Sequence, residues 1–414
     1  MRLEKSRILG AASFLLLAAA GCGHRGGSSL PAKHLVLVVF DTLRADRMSL
    51  YGHSLPTTPF LESIAQDLLR FEAVKAPSPW TVPSHASIFT GLRPAEHRAQ
   101  WGRMVLDERF DTLAEVLRSK GFCTLGFSSN GLVSEGTGLS QGFDAFTLVD
   151  RRGSEATSTI LDQLPEAIDA ALGRGCRLFL YINWMDTHTP YNALKYGPAF
   201  GAEGPGPVAS NPVKWEISAG VRPFPENAKR LHRAAYDAAV RYLDARTADL
   251  LQILAAREIL DDSLVVLTAD HGEGLGEHAE LGHALSVWEE QLAVPLLVRL
   301  PRRDRGGEVL TQPTTLTALM PSLLDWLGVA RPEALREAPN LEEATEAPLG
   351  ADYRSFFSEG GRKANRRMAR LYPDLASRVR HAHVLYCGPN KLIRRANGEI
   401  SFYNLVQDPR EQVN

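Results

Sequence analysis

The sequence predicts a doubly wound α/β fold, a mostly parallel sheet with helices on both faces, followed by a small C-terminal β-rich subdomain. Three observations predict it. Apolar runs of strand length alternate with stretches of helical spacing, as expected for a sheet buried on both faces. Several runs end in Asp, Asn or His, at the strand ends where open α/β sheets bind ligands. The tail changes character, with short strand-like runs on either side of Asn397-Gly398, a strong hairpin turn signal.

The first element is an export address. Arg2, Lys5 and Arg7 precede an apolar run from Ile8 to Ala20. At about 13 residues it is shorter than the roughly 20 needed to span a bilayer. It ends in Ala19-Ala20-Gly21-Cys22, which resembles a bacterial lipobox with Cys22 as the lipidated residue. An ordinary cleaved signal or an uncleaved anchor are the other readings. The expected domains are a lipoprotein signal at 1–22, a flexible Gly/Ser-rich tether at 23–33, a catalytic domain at 34–330, and a linker with a small subdomain at 331–414.

The run from His34 to Phe40 reads as a buried strand ending in Asp41. Thr58 to Ala73 has helical spacing (Phe60, Leu61, Ile64, Leu68), with Thr57 and Thr58 as cap candidates. A helix after Pro83, a helix over Thr112–Lys120 and a strand over Phe122–Phe127 follow. Arg177–Asn183 reads as a strand that runs on to Asp186 and His188. The long stretch from 190 to 226, rich in Gly, Pro and Asn, reads as an excursion over the active face. Asn227–Arg257 is an amphipathic helix, Ser263–Thr268 a strand ending in Asp270-His271, and Val294–Leu300 a further strand. In the tail, His383–Cys387, Lys391–Arg395 and Ile400–Leu405 are strands.

Composition excludes several classes. With 44% hydrophobic and 23% charged residues, the chain has ample material for a core. A net charge of −2 advertises no nucleic-acid partner. Four cysteines are too few for a disulfide-stapled miniprotein. Cys123, Cys176 and Cys387, odd in number and widely spaced, are expected to be buried free thiols.

Asp41, the Asn183–His188 segment and Asp270-His271 all fall at one sheet edge, and a carboxylate pair beside an imidazole is a divalent-metal arrangement. Phe40-Asp41-Thr42-Leu43-Arg44-Ala45-Asp46, followed by Tyr51-Gly52 and Thr57-Thr58-Pro59, resembles the N-terminal signature of the sulfatase family of the alkaline phosphatase superfamily. Pro79-Trp80-Thr81-Val82-Pro83-Ser84-His85 through Gly91 is similar to that family's nucleophile segment. Asp270-His271-Gly272-Glu273, then Gly276-Glu277-His278 and Gly282-His283, looks like its second metal segment, and Asp186-Thr187-His188-Thr189-Pro190-Tyr191 like a substrate-side motif. Phe402-Tyr403-Asn404-Leu405, Asp408-Pro409 and Glu411 resemble its usual ending. The resemblance implies an alkaline-phosphatase-like fold and a covalent mechanism on an ester. Asp41, Asp270 and His271 would hold one divalent ion (Ca²⁺, Mn²⁺ or Zn²⁺), which Thr81 would also touch. Thr81 would be the nucleophile. His188 and His283 would contact the ester oxygens or protonate the leaving group, and His85 would face the ester or cap its helix. A second ion on Asp186, His188 and His283 is permitted by spacing but not expected.

Departures from the pattern refine this. Sulfatases proper carry Cys or Ser where Thr81 stands and oxidise it to formylglycine; threonine is no substrate for that oxidation, and His85 replaces the arginine of the maturation motif. Thr42 replaces a carboxylate, and His283 the usual lysine. The expectation is an exported, membrane-anchored lipoprotein facing the periplasm or cell exterior. It would cleave a phosphate mono- or diester, or a sulfate ester, without formylglycine. The substrate would be a small anionic ester, such as one on a glycan or lipid. The alternatives are a phospho-group transferase and a degenerate member that only binds an anion. Gly272-Glu273-Gly274-Leu275-Gly276 lacks the third glycine of a dinucleotide loop at the required offset. Trp80, Trp184 and Trp288 read as packing, Arg44 and Asp46 as a structural pair, and the basic run Arg362–Arg370 as a solvated helix face.

Overall fold

The computed structural model describes residues 31–149, 154–192, 195–202, 207, 210–343, 349–353, 370–373, 375 and 381–414. The export signal with Cys22, the tether up to residue 30, residues 362–369 of the basic run and parts of the 190–226 excursion lie outside them.

Every residue of strand β1 (His34–Phe40) is buried, because the strand is central and covered on both faces. It pairs in parallel with β5 (Arg177–Trp184) on one side and β6 (Ser263–Ala269) on the other. Outward from β5 come β3 (Phe122–Ser128) and β4 (Ala145–Leu148), also parallel. Outward from β6 the order reverses, with β9 (Ala293–Arg299) antiparallel to both β6 and β2 (Leu69–Lys75). The edge strands β10 (Val309–Leu310) and β11 (Thr314–Thr315) complete a nine-stranded sheet. The carboxyl ends of β1, β3, β5 and β6 therefore open on one edge.

Most elements fall where the sequence places them. The long helix α8 is Glu226–Ala255, and α4 is Leu113–Ser119, held by a capping box between Thr112 and Glu115. The helix expected over 58–73 is not one element. Helix α1 is only Pro59–Ser63, its first amides capped by the Asp244 carboxylate of α8 (Phe60 N 3.0 Å, Leu61 N 2.9 Å). Residues 69–75 form β2 instead. The positions that carry the helical spacing, Phe60, Leu61, Ile64 and Leu68, all precede β2, which has a register irregularity of its own between Phe71 and Val74. Helix α5 (Ser154–Gly173), which the sequence reading did not assign, lies between β4 and β5 in the chain and packs on β5 and β3.

Two further corrections concern sulfur. Cys123 on β3 and Cys176 before β5 form a disulfide, and Cys387 is exposed, so none of the three is a buried free thiol. The two bonded cysteines are 53 apart in sequence, yet they begin two adjacent parallel strands. Sheet topology, which spacing does not reveal, brings them together.

The tail is a separate four-stranded antiparallel sheet of β12 (Leu349–Tyr353), β13 (Ala382–Cys387), β14 (Asn390–Arg395) and β15 (Ile400–Asn404). Gly398 makes the predicted turn at φ 88°. Lys391, fully buried, fastens this sheet to the body. Its Nζ donates to Val287 O (2.7 Å) and pairs with Glu289 Oε1 (3.0 Å) and Glu411 Oε1 (2.7 Å). Of the remaining short elements, α2 (Thr81–Thr90) and α7 (Asn211–Ser218) matter for the site.

Candidate active site

Asp41 follows β1 and Asp270 follows β6, two neighbouring parallel strands in register from His34↔Ser263 to Phe40↔Ala269. That register alone sets the carboxylates side by side. Asp41, Asp270 and His271 are fully buried, and one ligand atom of each lies within 4.8 Å of the others. Asp41 Oδ2 accepts from Asn130 Nδ2 (2.6 Å), while Oδ1 has no hydrogen-bond partner. Asp270 Oδ1 accepts from the amides of Thr42 (3.2 Å) and His271 (2.9 Å), while Oδ2 has no hydrogen-bond donor. His271 Nδ1 lies 2.9 Å from Gly272 O. A carbonyl only accepts, so Nδ1 carries the proton and Nε2 offers a lone pair. Two orphaned buried carboxylate oxygens and one imidazole lone pair form a donor set that fits a divalent cation.

The two acids are not equivalent. Burial and the neighbouring Asp270 charge push Asp41 above its ordinary pKa. Burial alone would raise Asp270 too, but His271, His85 and the Thr42 amide outweigh it and bring it to about 2. The Thr42 amide reaches Asp270 because Thr42 has φ 63°, an unusual conformation for a β-branched residue. Its hydroxyl donates to Thr187 O and the Thr187 hydroxyl to Asp41 O, both at 2.6 Å. Thr42 thus laces the end of β1 to the loop after β5.

Thr81 opens α2, all of whose residues are buried. Its Oγ1 lies 3.4 Å from His271 Nε2, at a helix N-terminus whose partial positive charge favours an anion. Ser84, one turn on, donates to Asp270 O (2.5 Å) and fixes the helix against β6. His85, four residues after Thr81, has Nδ1 3.1 Å from Thr81 O and 3.3 Å from Asp270 Oδ2. It is fully buried, edge-on to Tyr181, and shows no face to solvent.

His188 and His283 come together from different segments, with ring centroids 5.0 Å apart and His283 4.6 Å from His271. His188 Nδ1 bonds Thr189 O (2.8 Å), and His283 Nδ1 bonds Glu273 Oε1 (3.0 Å). Burial holds both rings below their ordinary pKa. Asp186 does not join them. It accepts from Thr157 on α5, and burial raises it to about 6. Arg44 pairs with Asp46 as expected (2.7 Å) and also donates to Glu273 O (3.0 Å). His278 stacks on Trp288 (centroids 4.1 Å apart), close to Glu290 and Glu411.

Three residues at the site had been assigned no role from the sequence. Glu273, fully buried, accepts from His283 and from the Thr189 hydroxyl (3.1 Å), and Lys214 and His283 hold it well below its ordinary pKa against the effect of burial. A carboxylate ten residues before His283 in one short segment was the readable signal. Asn130, after β3, carried no signal beyond its strand-end position. Lys214, on α7, carried none.

The family model described as Sulfatase matches residues 33–329. Iduronate 2-sulfatase of Mus musculus is 24% identical over 375 residues, covering 73% of this chain and 65% of that protein. The Homo sapiens enzyme of that name is covered over 62% of its length, so the chain spans a little under two thirds of these relatives. The multifunctional alkaline phosphatase superfamily protein PehA of Trinickia caryophylli is 24% identical over 421 residues, 78% of this chain and 81% of that protein. Among solved structures, the phosphonate monoester hydrolase of Agrobacterium radiobacter matches with a TM-score of 0.68 at 20% identity, over 93% of this chain and 91% of that one. BT4656, in complex with its substrate D-glucosamine-2-N,6-O-disulfate, matches with a TM-score of 0.69 at 18% identity over 93% of both chains. These structural likenesses speak for the fold. The family match starts just before β1 and covers the whole body of the large sheet, and this chain is a member of the sulfatase family.

Proposed function

We propose that the protein is a metal-dependent ester hydrolase that attacks phosphorus, or secondarily sulfur, with Thr81. The observation that carries this reading is Thr81 Oγ1 at 3.4 Å from His271 Nε2, beside the orphaned oxygens of Asp41 and Asp270. Asp41, Asp270 and His271 would hold a divalent ion, which would supply Lewis acidity toward a nearby hydroxyl and the charge of the ester. The residues do the rest. Thr81 Oγ1 gives its proton to the free ring nitrogen of His188 or His283 and bonds to phosphorus while the bond from phosphorus to the alcohol oxygen breaks. The alcohol leaves with that proton, handed on from the same ring nitrogen. Water then attacks phosphorus, the bond to Oγ1 breaks, and Thr81 regains its proton. Glu273 keeps His283 in one tautomer, and His85 lies beside Asp270 and helps hold that acid ionised.

Phosphorus is favoured because of this second step. Phospho-threonine is open to attack by water at phosphorus, whereas a sulfo-threonine lacks the hydrate through which formylglycine expels sulfate. The named activities of similar proteins include both sulfate and phosphonate esters. The test is a panel of aryl phosphate, aryl phosphodiester, phosphonate monoester and aryl sulfate given to metal-loaded protein. At least one phosphorus ester is expected to exceed aryl sulfate in kcat/KM by tenfold or more. A faster sulfate would overturn the choice of phosphorus, and no turnover of any ester would overturn the hydrolase reading.

Export with a lipid on Cys22 is the companion proposal. The Cys123–Cys176 bond supports it, because disulfides persist in oxidising compartments. Intact-mass analysis of protein from the membrane fraction is expected to show a diacylglyceryl-modified N-terminus at Cys22. A mature chain starting elsewhere, without lipid, would remove the anchor.

A further inference from the structure

We infer that Lys214 is a substrate-gripping residue that supplies the cationic donor for the oxyanion of the ester, from an element outside the family's metal and nucleophile segments. This deepens the hydrolase reading and rests on it for the identity of the ligand.

Lys214 is 5% exposed and lies on α7, in the stretch of the chain with no readable pattern. A buried ammonium is costly unless compensated, and Lys214 acts on the buried Glu273 carboxylate, whose pKa it lowers, without closing a salt bridge to it among the described residues. Gly282 shows where its ammonium goes. A Cβ added there would lie 3.1 Å from Lys214 Cδ, 3.4 Å from Lys214 Nζ and 3.5 Å from Glu273 Oε1. The lysine stem thus passes over the bare backbone of Gly282, next to His283 and near the carboxylate that orients it. Helix α7 is held in place there. Leu281 N donates to Ser218 Oγ (3.1 Å), and Ile217 packs with Leu281.

The neighbouring groups leave a vacancy in chemistry that Lys214 fills. His188 and His283 have their Nδ1 protons engaged by Thr189 O and Glu273 Oε1. Their remaining ring nitrogens are acceptors while the rings are neutral, and so repel an anionic oxygen. Asp41, Asp270 and Glu273 are acidic. Lys214 brings three N–H donors and a full positive charge to the same place. A tetrahedral oxyanion is the ligand chemistry that completes its hydrogen bonding, and phosphate and sulfate share it.

The test is binding of inorganic phosphate and inorganic sulfate to metal-loaded protein by calorimetry, comparing the natural chain with Lys214→Met and Lys214→Arg. Lys214→Met is expected to weaken phosphate at least tenfold, with metal content unchanged. Lys214→Arg is expected to restore part of the affinity. With substrate, Lys214→Met is expected to lower kcat/KM by tenfold or more. Unchanged anion affinity in Lys214→Met, or a lower melting temperature with unchanged affinity, would overturn the inference and leave Lys214 a packing residue. If Lys214→Met does not fold, equal anion affinity in Lys214→Gln decides against the inference and a tenfold loss decides for it. Calorimetry needs no turnover, so a chain that binds phosphate through Lys214 but hydrolyses nothing would sink the hydrolase reading alone.

Discussion

Replacing Thr81 by alanine is expected to lower kcat by roughly 10³-fold or more while leaving fold and metal content intact. The size of the effect follows from the role. A nucleophile is not one contact among many; without its oxygen the first covalent step has no acceptor for phosphorus. The small structural cost follows from the surroundings. Thr81 is the first residue of α2, its Oγ1 has one long contact to His271, and its backbone carbonyl, which His85 uses, survives the substitution. Helix α2 stays fixed through Ser84 to Asp270 O. The measurement is steady-state turnover of the best phosphorus ester beside metal analysis and a thermal melt. Acid-quenched natural protein should also carry phosphate on Thr81, and the alanine variant none. A variant that turns over at the natural rate would remove Thr81 from the chemistry.

Asp270→Asn is expected to weaken the metal by about 10²-fold or more and to take activity with it. Asparagine keeps an oxygen for the Thr42 and His271 amides, so the local backbone has its acceptor. It loses the charge, and its NH₂ group would replace the orphaned Oδ2 beside His271 Nε2 and His85 Nδ1. Two donors then face the place where a cation would sit. The natural protein should gain about 4 kcal/mol of stability at a metal concentration a thousandfold above its dissociation constant, seen as a rise in melting temperature. The variant, with its affinity about 10²-fold weaker, should gain only about 1.4 kcal/mol or less at the same concentration. Metal-dependent stabilisation of equal size in both proteins would displace Asp270 from the ligand set.

What could be read from the sequence was what strand ends dictate. Asp41, Asp270 and His271 follow continuous apolar runs, and parallel strands deliver such residues to one edge whatever their separation in the chain. Thr81 and His283 were legible through resemblance. Glu273 stood in a quoted segment but acquired its function only when folding set it against His283. Lys214 was illegible because α7 is short and its segment has no hydrophobic period to announce a helix, let alone its direction. The same limit explains β2, which follows directly on residues of helical spacing and is a strand because of what it pairs with, and Cys123–Cys176, whose partnership depends on which strands are neighbours. Periodicity reports an element's own geometry; it carries little about what lies beside it.

Lys391 has a consequence for where the molecule can be cut. Its ammonium comes from the tail sheet, while Glu289 belongs to α9 (Glu289–Leu292), six residues beyond His283. The Glu289 carboxylate also takes the Tyr386 hydroxyl (2.7 Å) and the Lys75 ammonium. A fragment ending at residue 330 would keep every residue of the metal and nucleophile segments and still strand that carboxylate with Lys75 alone. The sequence boundary between catalytic domain and subdomain is therefore not a seam along which the protein comes apart. An engineer who wants to graft a new tail onto this body must preserve a lysine and a tyrosine at two specified points of the graft, or neutralise Glu289 first.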